Sequence, residues 1–378
     1  MRKILLLFVL TLMMIPMHAQ ETQDSINQIY VGTYTKKEGH VDGQAEGIYL
    51  LNQEPNTGKL SYVCVAAEAV NPSFVKVGKK GKYVYAVSEL GPADGETGFV
   101  ESYKIEPNGS LKKINRLETG GLAPAHIALD RSGKLAFVSN YIGGVVSLYK
   151  ICDNGALELS QEIEIENQDE AHTHSVKVSG DNRFAYIADL GNDKIWIYNL
   201  DSTEAKVTPH TQKFVALPEG AGPRHLSFSK NGSYAYSINE LNSTVSSFEV
   251  LKDGGLKLIQ NISSLPEGYK MKNSAADIHM HPSGKYLYAS NRGNDSIVIF
   301  KVDQKTGKLE VVDFVAVAGK TPRNFAISPY GKYLYAASQD TGNITSYRID
   351  DATGKLTPMP PVFELKTPVC LDFKQKGI

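Results

Sequence analysis

Hydrophobic and polar positions follow one pattern that returns at intervals of 46 to 52 residues. In its fullest form the unit reads Pro, eight residues, Gly, then an aromatic-rich strand. The copies are PSFVKVGKKGKYVYAVSE from Pro72, PAHIALDRSGKLAFVSNY from Pro124, THSVKVSGDNRFAYIADL from Thr173 and PRHLSFSKNGSYAYSINE from Pro223. They continue with AADIHMHPSGKYLYASNR from Ala275, PRNFAISPYGKYLYAASQ from Pro322 and a shortened PVCLDFKQKG from Pro368. A period near 50 residues is that of a propeller blade. Counting from each anchor, offset three holds Val75, Ile127, Val176, Leu226, Ile278, Phe325 and Leu371. Offset five holds Val77, Leu129, Val178, Phe228, Met280, Ile327 and Phe373. All are apolar, which predicts a strand (A) whose odd offsets are buried between blades.

A strand B follows, then two more (C and D) across turns such as KIEPNGSLKK, KICDNGALEL and EVLKDGGLKL, whose Asn-Gly and Asp-Gly pairs supply positive φ. Seven such units predict an all-β, seven-bladed β-propeller. The seventh copy has only its strand A. The N-terminal segments IYVGTY, GIYLLNQ and LSYVCVA read as strands B, C and D. The last blade is therefore expected to be closed by both termini, leaving no open seam. Residues 20–378 form one propeller domain on this reading.

Residues 1–19 read as a secretory signal: Arg2 and Lys3, an apolar run from Ile4 to Pro16, and Met17-His18-Ala19 before the expected cut. Export to the periplasm or beyond follows, with no membrane span after cleavage. No Cys near the cut suggests a lipid anchor. Three cysteines, Cys64, Cys152 and Cys370, make no disulfide framework and are expected as small buried residues. With 40 Lys and Arg against 41 Asp and Glu, no excess positive charge marks a nucleic-acid partner. A small molecule is the expected partner, and a monomer or weak dimer the expected state.

Strand A starts, and strand B ends, at the mouth of the central channel, where the longer connections 35–46, 90–98, 164–172 and 263–274 also lie. Offset one from each anchor places Ser73, Ala125, His174, Arg224, Ala276, Arg323 and Val369 at that mouth. Offset seventeen adds Tyr34, Glu89, Tyr141, Leu190, Glu240, Arg292 and Gln339, flanked by His126, His172, His225 and Asp189. Water at a channel mouth demands some polar side chains. Three Arg, a His and a Glu converging from several blades ask for more: guanidinium forks grip carboxylate or phosphate, and His serves as a base near neutral pH. His174, Arg224, Glu240 and Arg292 are the candidate catalytic residues. The candidate substrate contacts are His172, His126, His225, Arg323, Glu89, Tyr34, Tyr141 and Gln339. His172/His174 and His279/His281 form two His-x-His pairs, but about 10 Å of strand separates them, so a shared metal is not expected. No G-x-S-x-G, P-loop or dinucleotide motif appears, and no cofactor is expected.

The motifs GAGPRH, SINELNSTV, SAADIHMHPSGKYLYASNRG and TPRNFAISPYGKYLYAA resemble the seven-bladed propeller lactonases. That family includes bacterial 6-phosphogluconolactonases and fungal 3-carboxymuconate lactonising enzymes. The likeness spans nearly the whole mature chain. It implies a metal-independent site at the channel mouth acting on lactones with acidic substituents. The fungal His, Arg, Glu and Arg fall by motif on His174 in AHTHS, Arg224 in GPRH, Glu240 in INEL and Arg292 in SNRG, with His172 a rival for the first. Calcium-dependent propeller lactonases usually have six blades, which seven anchors disfavour. A sugar phosphate is scarce outside the cytoplasm, so an export signal fits lactone hydrolysis better than it fits a phosphorylated substrate. Two alternatives stay open: a lactonising enzyme on an unsaturated dicarboxylate, and a propeller that binds carbohydrate or protein without turnover.

Overall fold

The computed structural model describes residues 26–374, so the expected signal over residues 1–19 lies outside the described residues. Seven sheets are arranged as blades, six of four strands and one of five, and no described residue is helical. The innermost strands A are Val75–Val77, Leu122–Leu129, Thr173–Val178, Pro223–Phe228, Ser274–Met280, Pro322–Ile327 and Pro368–Phe373, in blades 1 to 7. Their strands B are Tyr83–Ser88, Leu135–Ile142, Phe184–Asp189, Tyr234–Asn239, Tyr286–Arg292, Tyr333–Ser338 and Asn27–Thr33.

Blade 7 has the expected mixed origin. Pro368–Phe373 pairs antiparallel with Asn27–Thr33, followed outward by Gly47–Gln53 and Leu60–Glu68. Its strand A is tied on both sides: Leu371 N–H donates to Asn324 Oδ1 (2.8 Å), and Asp372 accepts Val77 N–H (2.6 Å). Blade 6 departs from the simple meander. Its outer strand is split into Leu356–Pro358 and Phe363–Glu364, both paired with Asn343–Ile349. Pro358, Pro360 and Pro361 supply no N–H to the ladder, so pairing lapses between the two pieces.

The core lies between blades. Phe137, Val146 and Leu148 of blade 2, for example, meet Val176, Ile187 and Trp196 of blade 3. Offset three is buried in all seven strands A. Offset five is only partly so: Val77 and Val178 are buried, whereas Leu129, Phe228, Met280, Ile327 and Phe373 are half-buried. Cys370 is buried, but Cys64 and Cys152 are half-buried on outer strands and at a turn, which corrects the expectation for those two; all three are free thiols.

Tyrosines from one blade fasten the C–D turn of the next. Tyr186 Oη donates to the Gly254 carbonyl and Tyr288 Oη to Gly354, each at 2.8 Å. These glycines do two things. Gly254 sits at φ +95°, and a Cβ there would stand 2.5 Å from the Phe184 ring. Of the Asn-Gly and Asp-Gly pairs, only the Gly adopts positive φ. Asn108 and Asp253 instead accept the N–H groups of Ser110 and Gly255 (both 3.0 Å), making an Asx-type turn.

Candidate active site

Strand A does not enter its ladder smoothly. In blades 2 to 7 the pairing of strand A with strand B skips one residue at or next to offset one. A bulge re-aims side chains. Here it lets consecutive residues, Arg224 and His225, both serve the channel.

The charged centre is a three-residue cluster. Glu240 Oε2 lies 2.9 Å from Arg224 Nε and 2.9 Å from Arg292 Nη2. Ser274 Oγ donates to Glu240 Oε1 (3.1 Å) and accepts from Arg292 Nη2 (2.8 Å). Arg292 also donates to the Ala275 carbonyl, and Arg224 Nη1 to the Ala276 carbonyl (2.6 Å). Arg224 is 2 % exposed, so its charge is kept in the fold by these partners. Burial, together with Arg292 and Arg323, pulls the Arg224 guanidinium below its ordinary pKa. Burial alone would raise the Glu240 carboxyl. Arg292, Arg224 and Arg323 outweigh that and hold it below the carboxylate range.

A second group stands beside the first. Tyr34 Oη donates to Glu89 Oε1 (2.8 Å), and Arg323 lies 3.9 Å from the same oxygen with its guanidinium over the Tyr34 ring. Three guanidinium groups thus face two carboxylates. Between Ser73, Glu89, Ala125, Arg224, His225 and Arg323 the enclosed space is only about 10 Å³, room for about one water. A sugar-sized ligand does not fit in this space.

His174 is buried at offset one, with its ring 5.8 Å from that of Tyr141 and 5.1 Å from that of His225. Its Nδ1 has no hydrogen-bond partner among the described residues. Burial, then Arg224 and the neighbouring His225, hold its pKa well below the ordinary value, so the ring is neutral. His172 is placed differently. It stacks on Tyr141 at 4.5 Å, and its Nδ1 donates to the Tyr141 carbonyl (2.8 Å). It stiffens the wall behind Tyr141.

Other expected contacts sit elsewhere. Gln339 is buried and turns to Asp340 (3.0 Å), away from the arginines. Asp189 accepts from Trp196 Nε1, Asn192 and the His172 N–H, which closes a turn. His126 and His225 form a floor below the mouth: His126 packs on Phe74 (4.3 Å) and on His225 (5.3 Å). His281 belongs to an A–B turn, with Nε2 donating to the Gly331 carbonyl.

Two residues that the sequence reasoning passed over lie in this floor. Asp277 is buried and accepts from His225 Nδ1 (2.7 Å), His279 Nε2 (2.9 Å), Asn324 Nδ2 (2.5 Å) and two backbone N–H groups. Burial opposes its charge, but His279 and His225 hold its carboxyl well below the usual range. Its Nδ1 bond fixes the His225 tautomer, leaving Nε2 toward Arg224 (3.4 Å). Asp277 and Asn324 both stand at offset two, and that register was the available signal. Among the described residues no group of three or more His, Cys, Asp or Glu is arranged to hold a metal ion.

The family profile described as lactonase, 7-bladed β-propeller matches residues 28–373. The chain belongs to this family. Its relatives named 6-phosphogluconolactonase are lactone-hydrolysing carboxylic ester hydrolases, and the chain is accordingly an enzyme of that class. It is 36% identical over 313 residues to the 6-phosphogluconolactonase of Formosa agariphila, covering 79% of this chain and 86% of that one. It is 32% identical to the 6-phosphogluconolactonase of Bacillus subtilis, covering 91% and 97%. The structure of the periplasmic gluconolactonase of Pseudomonas aeruginosa superimposes with a TM-score of 0.84 at 29% identity, over 92% of this chain and 99% of that one.

Proposed function

We propose that the chain is an exported lactonase that opens a sugar-type lactone bearing an anionic group, without a metal, at the Arg-rich mouth of the channel. The observation that carries this reading is the Glu240 carboxylate held between Arg224 and Arg292 beside a neutral His174. Hydrolysis needs a water oxygen to bond the lactone carbonyl carbon while the ring C–O bond breaks. Neutral His174 accepts the water proton and returns it to the departing ring oxygen. Arg292 and Arg224 face the developing carbonyl oxyanion, and Glu240 fixes both guanidinium groups before substrate arrives. Arg323 adds the charge that selects an anionic substituent. A bound anion also offsets the arginine field that depresses the His174 pKa, making it a better base once substrate is in place.

The relatives named for 6-phosphogluconolactone and for gluconolactone differ in whether phosphate is recognised. Export argues against phosphate as that anionic substituent, because a sugar phosphate is scarce outside the cytoplasm. Export rests on the basic start and apolar run at the N-terminus, and on likeness to a protein named as periplasmic.

The test is proton release by residues 20–378 supplied with gluconolactone or 6-phosphogluconolactone, with chelator present. The His174→Ala variant should lose about 10²–10⁴ in kcat with its fold intact by circular dichroism. An active His174→Ala variant would refute the base assignment. Loss of activity on adding chelator would refute metal independence.

A further inference from the structure

The channel has a second end, and it is chemically unlike the first. Below the floor of Phe74, His126 and His225 it opens into a cavity of about 380 Å³ on the face of the A–B turns. Offset four of strand A supplies Lys76, Lys177 and His279 to its wall, and the turns add Lys79 and Arg131. His174 and Lys177 are three residues apart on one strand, so Lys177 lies about 10 Å below the mouth, although the cavity itself reaches up to the floor.

Four cations and two carboxylates, Asp130 and Asp277, line it. Neither carboxylate forms an ion pair with a cavity lysine or arginine among the described residues, though Asp277 and, from outside, Asp372 partly offset the charge of Lys177. Asp277 holds five donors, and Asp130 accepts from Ser132, Leu135, Asn182 and Lys134 in its turn. Lys76 is matched by Asp372 at 2.6 Å, Lys79 reaches the Arg131 carbonyl, and Arg131 Nε the Ser179 carbonyl. Half-buried Lys177 has no hydrogen-bond or ion-pair partner among the described residues. The Nδ1 of His126, above it, is buried and likewise lacks one.

We infer that this far vestibule is a second anion site, which takes a compact oxyanion, phosphate or carboxylate, between Lys177, Lys76 and His126. The physical reason is an imbalance that the fold leaves in place. Burial, Lys76 and Arg131 press the Lys177 ammonium down to about 8, and an oxyanion among them removes that strain by pairing. His126 donates through its neutral ring N–H or accepts from a protonated oxyanion. The Phe74–His126–His225 floor separates this site from the mouth, so its occupancy does not depend on the lactonase reading.

The experiment is a calorimetric titration of the purified protein with inorganic phosphate and, separately, with gluconate, repeated on Lys177→Gln. A crystal soaked in tungstate then locates the ion. The expected result is a heavy-atom peak among Lys76, Lys177 and His126, and a class of phosphate sites weakened about ten-fold or more in Lys177→Gln, the loss of one charged hydrogen bond. Lactone turnover in that variant should stay within two-fold. Preference for phosphate or for gluconate identifies which oxyanion the site serves. A tungstate peak at the mouth alone, or phosphate affinity unchanged in Lys177→Gln, would overturn the assignment.

Discussion

The two ends of one channel handle positive charge in opposite ways. At the mouth, Arg224 and Arg292 share Glu240, and Arg323 stands by Glu89 and Tyr34. At the far end Lys177 lies near Lys76 and Arg131, only partly offset by Asp277 and Asp372, and has no hydrogen-bond or ion-pair partner among the described residues. Paired guanidinium groups are rigid, and their fork geometry is set before a ligand arrives. An unpaired ammonium on a flexible stem is a point charge that adapts to its ligand. On the proposed reading the mouth orients a reaction and the vestibule holds an ion.

The largest effect should come from breaking the mouth. Glu240→Gln keeps the shape but removes the charge between two guanidinium groups. They then repel, and the oxyanion is met by misplaced donors. We expect kcat/KM for the lactone to fall about 10²–10³-fold, the size of losing one preorganised donor. Phosphate binding at the far end should be unaffected. Comparable losses of both would show that the floor does not isolate the two ends.

A smaller effect separates the floor from both ends. His174, His126 and His225 are all held below the ordinary imidazole pKa, His225 at about 4, first by burial and then by nearby positive groups. Asp277 opposes this for His225 but does not reverse it. A histidine with a lowered folded pKa binds protons more readily when unfolded. Its contribution to stability is full above about pH 6.5 and drains away as pH falls toward the folded value. Each such histidine contributes about 1.4 kcal/mol per pH unit across that window. Urea midpoints measured at pH 7.5, 6 and 5 should therefore fall steadily. His126→Asn should flatten the slope, and an unchanged slope would mean that His126 is not neutral in the fold.

The fold was readable because its rule repeats. Seven apolar residues at offset three, a glycine at offset nine in six copies (Asn182 in the third) and a Gly in six C–D turns (Ala205 in the third) state the same instruction many times over. The candidate mouth residues came from register: Arg224 and Arg323 stand out against Ala125, Ala276 and Val369 at offset one, whereas offset seventeen, with Tyr34, Glu89, Tyr141, Glu240, Arg292 and Gln339, is polar in most blades. The floor and vestibule were harder to see. The bulge at the start of strand A has no residue signature across Ala125, His174, Arg224 and Arg323, so His126 and His225 read as rim residues and Asp277 as unremarked. Lys76 and Lys177 sit at an even offset. Period-two logic takes that offset off the blade interface without saying that it meets a cavity. Spacing could not separate His172 from His174, because the stack of His172 on Tyr141 that distinguishes their surroundings is a long-range contact.

The finest test acts on the pairing itself. Lys76 differs from Lys177 in one respect, the Asp372 carboxylate, which accepts both the Lys76 ammonium and the Val77 N–H. Asp372→Asn keeps an acceptor for Val77 and removes the competing charge. If lack of a partner is what makes the vestibule attractive to an anion, freeing Lys76 should make it more so. Phosphate should bind about three- to five-fold tighter, as expected for deleting one like charge several ångströms away in a partly solvated site. The exposed side of the Lys76–Asp372 pair limits the stability loss to about 1 kcal/mol. Tighter binding in Asp372→Asn and weaker binding in Lys177→Gln would together tie affinity to unpaired charge. Weaker binding in both would instead mean that Asp372 holds Lys76 in the position from which it grips the ion.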